Sequence, residues 1–447
     1  MDNISSYLIL GLLALVSTFL YGRKLLLSRI VPTAVVIGII MLVFGRTFPS
    51  VQENVLAAWK ELSGILINIV FATLLIGKPI LSPKKIWKFA GPQVVFGQTL
   101  AWGQYVIGAL LTLLVLIPLF DMNPLAGALI EISFEGGHGT AAGLQNLFTQ
   151  LNFSEGVDIA LGLATVGLVV GIASGLLLNF IYNRRKVKNT SSTFSSQKSI
   201  DKEAAKFIRE THNNYFSRHV IVRTIVQILL IGLAIAFGLF LKELLILLES
   251  YFIGSGGIQF FSYIPLFPLA MIGGALLQLS LKALGMQQLV HPKTMNFVSD
   301  FALELLIIAA VSTISLVAIS NNLGPFILLA LAGIVWNISA FLVLAPRLMG
   351  RKMWFRRGIG DYGQSMGMTA TGLLLMHAAD PHNRSHAVER FGYKQLLFEP
   401  IVGGGLFTAS SMIIIYDFGL VSLLLISVVV LVVWLIVGYY AFARHTK

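Results

Sequence analysis

Three glycines within four positions frame one histidine and lead into a threonine in the run Gly136-Gly137-His138-Gly139-Thr140. Such a run breaks a helix and lets a ligand reach bare backbone. Two carboxylates, Glu131 and Glu135, precede it four residues apart, a spacing that can share one helical face. A second glycine-rich stretch carries Gly358, Gly360, Gly363 and Gly367, with Asp361 inside it and side-chain oxygens from Gln364, Ser365, Thr369 and Thr371. The chemistry open to these groups is binding. A broken helix exposes N–H groups on one side of the break, which suit carboxylates, and C=O groups on the other, which suit Na⁺. The spacing Gly137-x-Gly139-x-x-x-Gly143 is no dinucleotide or phosphate loop, because no strand precedes it and no Lys-Ser/Thr follows. The chain has no cysteine, and His138 has no second His or Cys at metal spacing, so neither a metal site nor a thiolate nucleophile is expected. No nucleophile–base pair is present, and the chain does not read as an enzyme.

These residues sit in a chain built for lipid. Of 447 residues 56% are hydrophobic and 12% charged, and the mean hydropathy is +0.83. That charge content is about half of the soluble norm, and the longest apolar runs reach the roughly 20 residues that cross a bilayer. The fold class is an all-α integral membrane protein. Hydropathy marks about eleven spans, near 6–22, 30–47, 62–77, 92–119, 157–182, 219–241, 263–281, 299–320, 325–345, 396–416 and 418–442. The run at 7–21 lacks a basic residue before it and reads as a first membrane helix, not a signal peptide.

The net charge of +12 is explained by topology and calls for no nucleic-acid partner. Basic clusters follow alternate spans: Arg23–Lys24, Lys84–Lys88, Arg184–Lys188, Lys282 and Lys293, Arg347–Arg357, and Arg444. This alternation predicts a multi-pass protein of the plasma (inner) membrane with the N-terminus outside and the C-terminus cytoplasmic. It also forces segments 124–150 and 358–378 to enter and leave on one side. A single crossing by 124–150 would strand Arg184–Lys188 outside, and 358–378 has Arg356 and Arg357 before it and Arg384, Arg390 and Lys394 after it. Each is therefore expected to be a re-entrant broken hairpin, the first entering from outside and the second from inside.

The hairpins share a pattern, Thr140-Ala-Ala-Gly143-Leu and Thr369-Ala-Thr-Gly372-Leu, offset by 229 residues. Two inverted repeats follow: residues 1–182, then a polar cytoplasmic linker at 183–218, then 219–417, with 418–447 an additional C-terminal helix. Ionisable residues at membrane depth default to function. Glu135 and Asp361, each beside a glycine break, and Glu131 and Glu304 are the candidate ion-coupling residues. Asp300 and Glu399 fit interfacial places near span starts. The candidate solute contacts are Gly136, Gly137, His138, Gly139, Thr140, Gln364, Ser365, Gly367, Thr369 and Thr371. His138 is open between packing, ligand contact and proton transfer, and Gln93, Gln98 and Gln104 read as inter-helix glue.

The run from Asn123-Pro124 to Gly136-Gly137-His138-Gly139-Thr140 resembles the bacterial sodium/glutamate symporter family. So do Gly22-Arg23-Lys24-Leu25, Phe71-Ala72-Thr73, Ala164-Thr165-x-Gly167-Leu168-Val169-x-Gly171, Arg347-Leu348-Met349-Gly350 and Glu389-Arg390-Phe391-Gly392. The resemblance covers about 5–415. It implies a Na⁺-coupled carrier of an acidic amino acid, without a cofactor, working as a homodimer by elevator-type alternating access. The chain departs from the family at Gln364–Thr371, where the family has regular glycines and a Thr-Pro-Thr, and in carrying Glu131, Glu135 and Asp361. Those added carboxylates motivate a second reading, a proton-coupled carrier or exporter of a neutral or cationic solute.

Overall fold

The computed structural model describes residues 11–13, 33–44, 49–77, 82–187, 218–253, 261, 264–350, 353–380 and 385–445. Most of the first expected span, 6–22, and nearly all of the 183–218 linker lie outside them. Every regular element among the described residues is helical, as it must be where hydrocarbon offers the backbone no hydrogen-bond partner.

In the first half α1 is Thr33–Phe44, α2 is Pro49–Thr73 and α3 is Pro83–Leu111, which runs on through a π turn, Thr112–Leu116, to Phe120. A broken stretch follows, with a 3₁₀ turn at Pro124–Ala128, a π turn at Glu131–Glu135, α4 at Gly137–Gly143 and α5 at Gln145–Gln150. Helix α6, Glu155–Val187, ends the half. The second half has α7 at Arg218–Ile253, α8 at Leu266–Ala283, α9 at Pro292–Ser312, a short α10 at Leu316–Asn321 and α11 at Leu323–Leu348. Then come α12 at Trp354–Gln364, α13 at Thr369–Ala379, α14 at Ala387–Phe398, α15 at Leu406–Phe418 and α16 at Leu420–Ala441. Among the described residues seven helices are long and apolar enough to cross a membrane: Lys84–Phe120, Glu155–Tyr182, Val222–Phe252, Leu266–Ala283, Pro292–Ser312, Leu323–Leu348 and Leu420–Ala441.

Three boundaries differ from the hydropathy reading. Helix α2 begins at Pro49 and stops at Thr73, where the chain turns to a left-handed Gly77 at φ 75°. Helix α9 begins at Pro292, capped by the His291 side chain that accepts from the Thr294 N–H. The stretch 396–416 is not one helix. It breaks between Phe398 and Leu406, with Gly403 at φ 70° and Gly404 at φ 97°.

The helices sort into two bundles. Helices α1, α2, α7, α8 and α9 pack together, and α3, α6 and α11 to α16 pack around the two broken stretches. The bundles meet where α4 lies against α2 and α9. Contacts between helix ends define two faces. On one, the Gln278 side chain accepts from the Gly77 N–H at 2.7 Å, Tyr182 stacks on Phe355 at 4.2 Å, and Phe442 packs on Trp87 at 5.6 Å. Lys84, Lys85, Lys88, Arg184, Lys282, Lys293, Arg347, Arg356 and Arg357 belong to those ends. On the other, Asp158 accepts from the Ser315 N–H at 2.7 Å, near the ends that carry Asp121 and Glu155.

Helices α12 and α13 have 11 residues each, about 16 Å of rise, roughly half the hydrocarbon thickness. Neither can cross alone, and they fold back on each other with Gly363 and Gly360 against Gly372. A β-carbon at Gly372 would run into the Gly360 carbonyl. Gly372→Val is therefore expected to destabilise the protein by about 1–3 kcal/mol, the usual cost of overpacking, seen as a lower thermal midpoint in detergent. An unchanged midpoint would show that this crossing is loose.

Candidate functional site

The two broken stretches touch. Gly137 takes φ 71°, and a β-carbon there would lie 2.6 Å from the Gly367 carbonyl oxygen. Only glycine suits both that angle and that approach. The second break, Ser365 to Met368, is held from outside itself. The Ser365 carbonyl accepts from Gln104 Nε2 at 2.9 Å and Asn337 Nδ2 at 2.7 Å. Gln104 Nε2 also donates to Asn337 Oδ1 at 3.1 Å. Gln104 on α3 is thus inter-helix glue, and its partner Asn337 comes from α11. His138 is buried, its Nε2 2.9 Å from Thr165 Oγ1 on α6, while its Nδ1 has no hydrogen-bond partner.

The carboxylates fall into different settings. Glu131 is engaged on both oxygens: Tyr105 Oη donates to Oε2 at 2.5 Å, and the Gly403 N–H and Thr408 Oγ1 donate to Oε1 at 2.8 and 2.9 Å. It ties the first break to the kink between α14 and α15. Asp361 is fully buried, with Oδ1 3.0 Å from Lys394 Nζ. Glu135 is 3% exposed. It faces the Ser365 hydroxyl and the Lys394 ammonium, with Glu131 and Asp361 in electrostatic reach, and neither of its oxygens meets hydrogen-bond geometry with a partner. Thr140 Oγ1, Ser365 Oγ and Thr371 Oγ1 are likewise buried without a hydrogen bond. Glu135 and Thr140 both abut the Gly403–Gly404 turn. Glu304 on α9 is half-buried.

Lys394 is the residue that charge counting misplaces. By position it belongs with Arg384 and Arg390 as a cytoplasmic flank. Arg390 stays partly exposed, donating to the Phe89 carbonyl and covering its ring. One turn on, Lys394 is completely buried, and among the described residues it is the only lysine or arginine in the buried set. Its ammonium donates to Gln364 Oε1 at 2.8 Å, pairs with Asp361, and lies 4.0 Å from the Phe398 ring centroid. The signal was in the spacing: Phe391, Lys394, Phe398 and Val402 fall at helical intervals, so the lysine interrupts an apolar stripe.

A cavity of about 610 Å³ opens beside this cluster. Glu135, Gly136, Gly137, His138 and Gly139 line it from the first break, and Gln364, Met368 and Thr369 from the second. Ile67, Phe71 and Ile307 close it from the other bundle, and Asp300, Glu389 and Glu399 add carboxylates to the wall. Helix α13 starts in this wall at Thr369 without a side-chain cap.

A helical membrane protein with two helix breaks that meet at a buried, charged centre beside a cavity has the build of a transporter. A family model described as sodium/glutamate symporter matches residues 1–383, and the chain belongs to that family. Comparison with curated proteins returns no match. Lys394 and the Gly403–Gly404 kink lie beyond the matched stretch.

Asn337→Leu removes one of the two donors that hold the Ser365 carbonyl. A cost of about 0.5–1.5 kcal/mol is expected, the net worth of a hydrogen bond, because Gln104 still holds the carbonyl; Gln104→Leu/Asn337→Leu leaves it unpartnered and should cost about 1–3 kcal/mol beyond the single change. Thermal midpoints equal to wild type would show that the tip needs neither side chain.

Proposed function

We propose that this chain is a Na⁺-coupled symporter of glutamate or a closely related small acidic solute, working by alternating access. The observation that carries the reading, beyond family membership, is that the two breaks meet at one point and line one cavity. In this reading 124–150 and 358–378 are the re-entrant hairpins of two inverted repeats, and the face that gathers the basic residues is cytoplasmic. The unit is a homodimer in a bacterial-type inner membrane.

The wall explains why solute would need a cation. Glu135 in this wall repels an anion, and among the described residues no lysine or arginine lines the cavity. A Na⁺ ion held by Glu135 with the oxygens of Thr140 and Ser365 removes part of that repulsion. The uncapped N–H groups at the start of α13 then offer the solute carboxylate its donors. His138, Gln364 and Thr369 line the place where the rest of the solute would lie. Gly136, Gly137 and Gly139 present bare backbone to the cavity, while Gly367 lets the second break pack against Leu168. Binding thus becomes conditional on the ion, which is what coupling requires.

In proteoliposomes an inward Na⁺ gradient should drive glutamate uptake, and Glu135→Gln should raise the half-saturating Na⁺ concentration roughly tenfold or more, the worth of a charge-assisted contact. Uptake that ignores Na⁺ and follows a proton gradient would overturn the reading in favour of a proton-coupled carrier.

Orientation has its own test, made clean by the absence of native cysteine. A cysteine at Ser154 should react with an impermeant thiol reagent in intact cells, and one at Gln288 only after permeabilisation. The reverse pattern would invert the topology.

A further inference from the structure

The cluster holds its cations unequally between the halves. The offset of 229 that aligns Thr140 with Thr369 also pairs Glu135 with Gln364. In the first half no hydrogen bond reaches Glu135 Oε1, Glu135 Oε2 or Thr140 Oγ1, although Glu135 faces the Ser365 hydroxyl and the Lys394 ammonium. In the second half they are occupied. Gln364 Oε1 accepts from Lys394 Nζ at 2.8 Å and from Gln395 Nε2 at 3.0 Å, and Thr369 Oγ1 accepts from Gln395 Nε2 at 3.3 Å. Asp361, one turn before Gln364, supplies the negative charge at 3.0 Å from Nζ.

The surroundings of Nζ are those of a bound ion. Two oxygens approach within 3.0 Å, and the rings of Phe398 and Phe391 lie with centroids 4.0 and 4.9 Å away. A β-carbon at Gly97 of α3 would come 3.0 Å from Nζ, so backbone closes the remaining side. An ammonium brings three donors and one charge on a flexible stem, and here it is fully buried. Glu131 needs no cation here, since neutral donors fill both of its oxygens.

We infer that Lys394 is a tethered coupling cation. It permanently fills the cation position of the second break and leaves the one at Glu135 to an exchangeable ion. This rests on the Na⁺-coupled reading above. It adds that the centre is charged for two cations, of which the protein itself provides one.

The test compares the sodium dependence of glutamate uptake and of thermal stabilisation in purified wild type, Lys394→Met, Asp361→Asn and Asp361→Asn/Lys394→Met. Without the ammonium, Asp361 must recruit a free ion. Lys394→Met should raise the half-saturating Na⁺ about tenfold and steepen the response by about one ion. The double variant, which lacks both charges, should return to the wild-type steepness. Asp361→Asn strands the ammonium beside Glu135 and should raise the half-saturating Na⁺ without steepening. If Lys394 only braces α14 against α12, Lys394→Met and the double variant lose uptake in parallel with no change in steepness, and the inference fails. Should Lys394→Met not fold, an unchanged half-saturating Na⁺ in Asp361→Asn overturns it instead. A wild type indifferent to Na⁺ would sink the parent reading, which is a different result from a Na⁺-dependent wild type with an unsteepened Lys394→Met.

Discussion

A helix interrupted at membrane depth strands N–H and C=O groups where no water can reach them, and most of what is unusual in this chain is the answer to that debt. The Ser365 carbonyl draws two amide side chains, from α3 and α11. The Gly403 N–H draws a carboxylate from the first break. Gly137 is pressed against the Gly367 carbonyl. Breaks from the two halves are stable where they are because each lies within reach of polar groups brought by the others. A polar centre follows from the backbone before any ligand is considered.

The same centre shows three ways of keeping a carboxylate out of water. Glu131 is surrounded by neutral donors, Asp361 is ion-paired with the Lys394 ammonium, and Glu135 faces the Ser365 hydroxyl and that same ammonium without a hydrogen bond to either. An unpaired buried charge is far costlier than a hydrogen-bonded or paired one. Of the three, Glu135 therefore gains most from an added cation, and it is the one that also lines the cavity. The distribution of partners, more than the count of acidic residues, separates an ion site from a structural latch.

Much of this was readable from the residues. Low charge, alternating basic loops and paired glycine breaks give the membrane class and locate both broken stretches. The glycines at 136, 137 and 139 lie at the tip that meets the second break. What escaped has identifiable causes. Averaging hydropathy over 396–416 hides the Gly403–Gly405 kink, because glycine is neither apolar nor polar enough to register. Lys394 was grouped with Arg390 because a charge count ignores which helix face a residue occupies. The tie from Glu131 to Gly403 and Thr408 spans more than 270 residues, and no local pattern encodes it.

The seam between the bundles bears on how such a centre could move. At the first break, Gly139 and Gly143 of α4 face Ile67, and Gly143 also faces Phe267, while Gly404 faces Phe71. These contacts pair apolar side chains with bare backbone and carry no direction. Sliding along them exchanges one dispersion contact for another, whereas the bonds that define the centre, from Gln104, Asn337, Tyr105 and Lys394, all lie within one bundle. A motion of that bundle past α2 and α9 would leave those bonds intact and change only what the cavity faces. Alternating access then requires no remaking of the buried polar network, so the free energy of moving is set by the seam and by the charge that moves with it. Lys394, paired with Asp361, cancels that carboxylate's charge whether or not any exchangeable ion is bound.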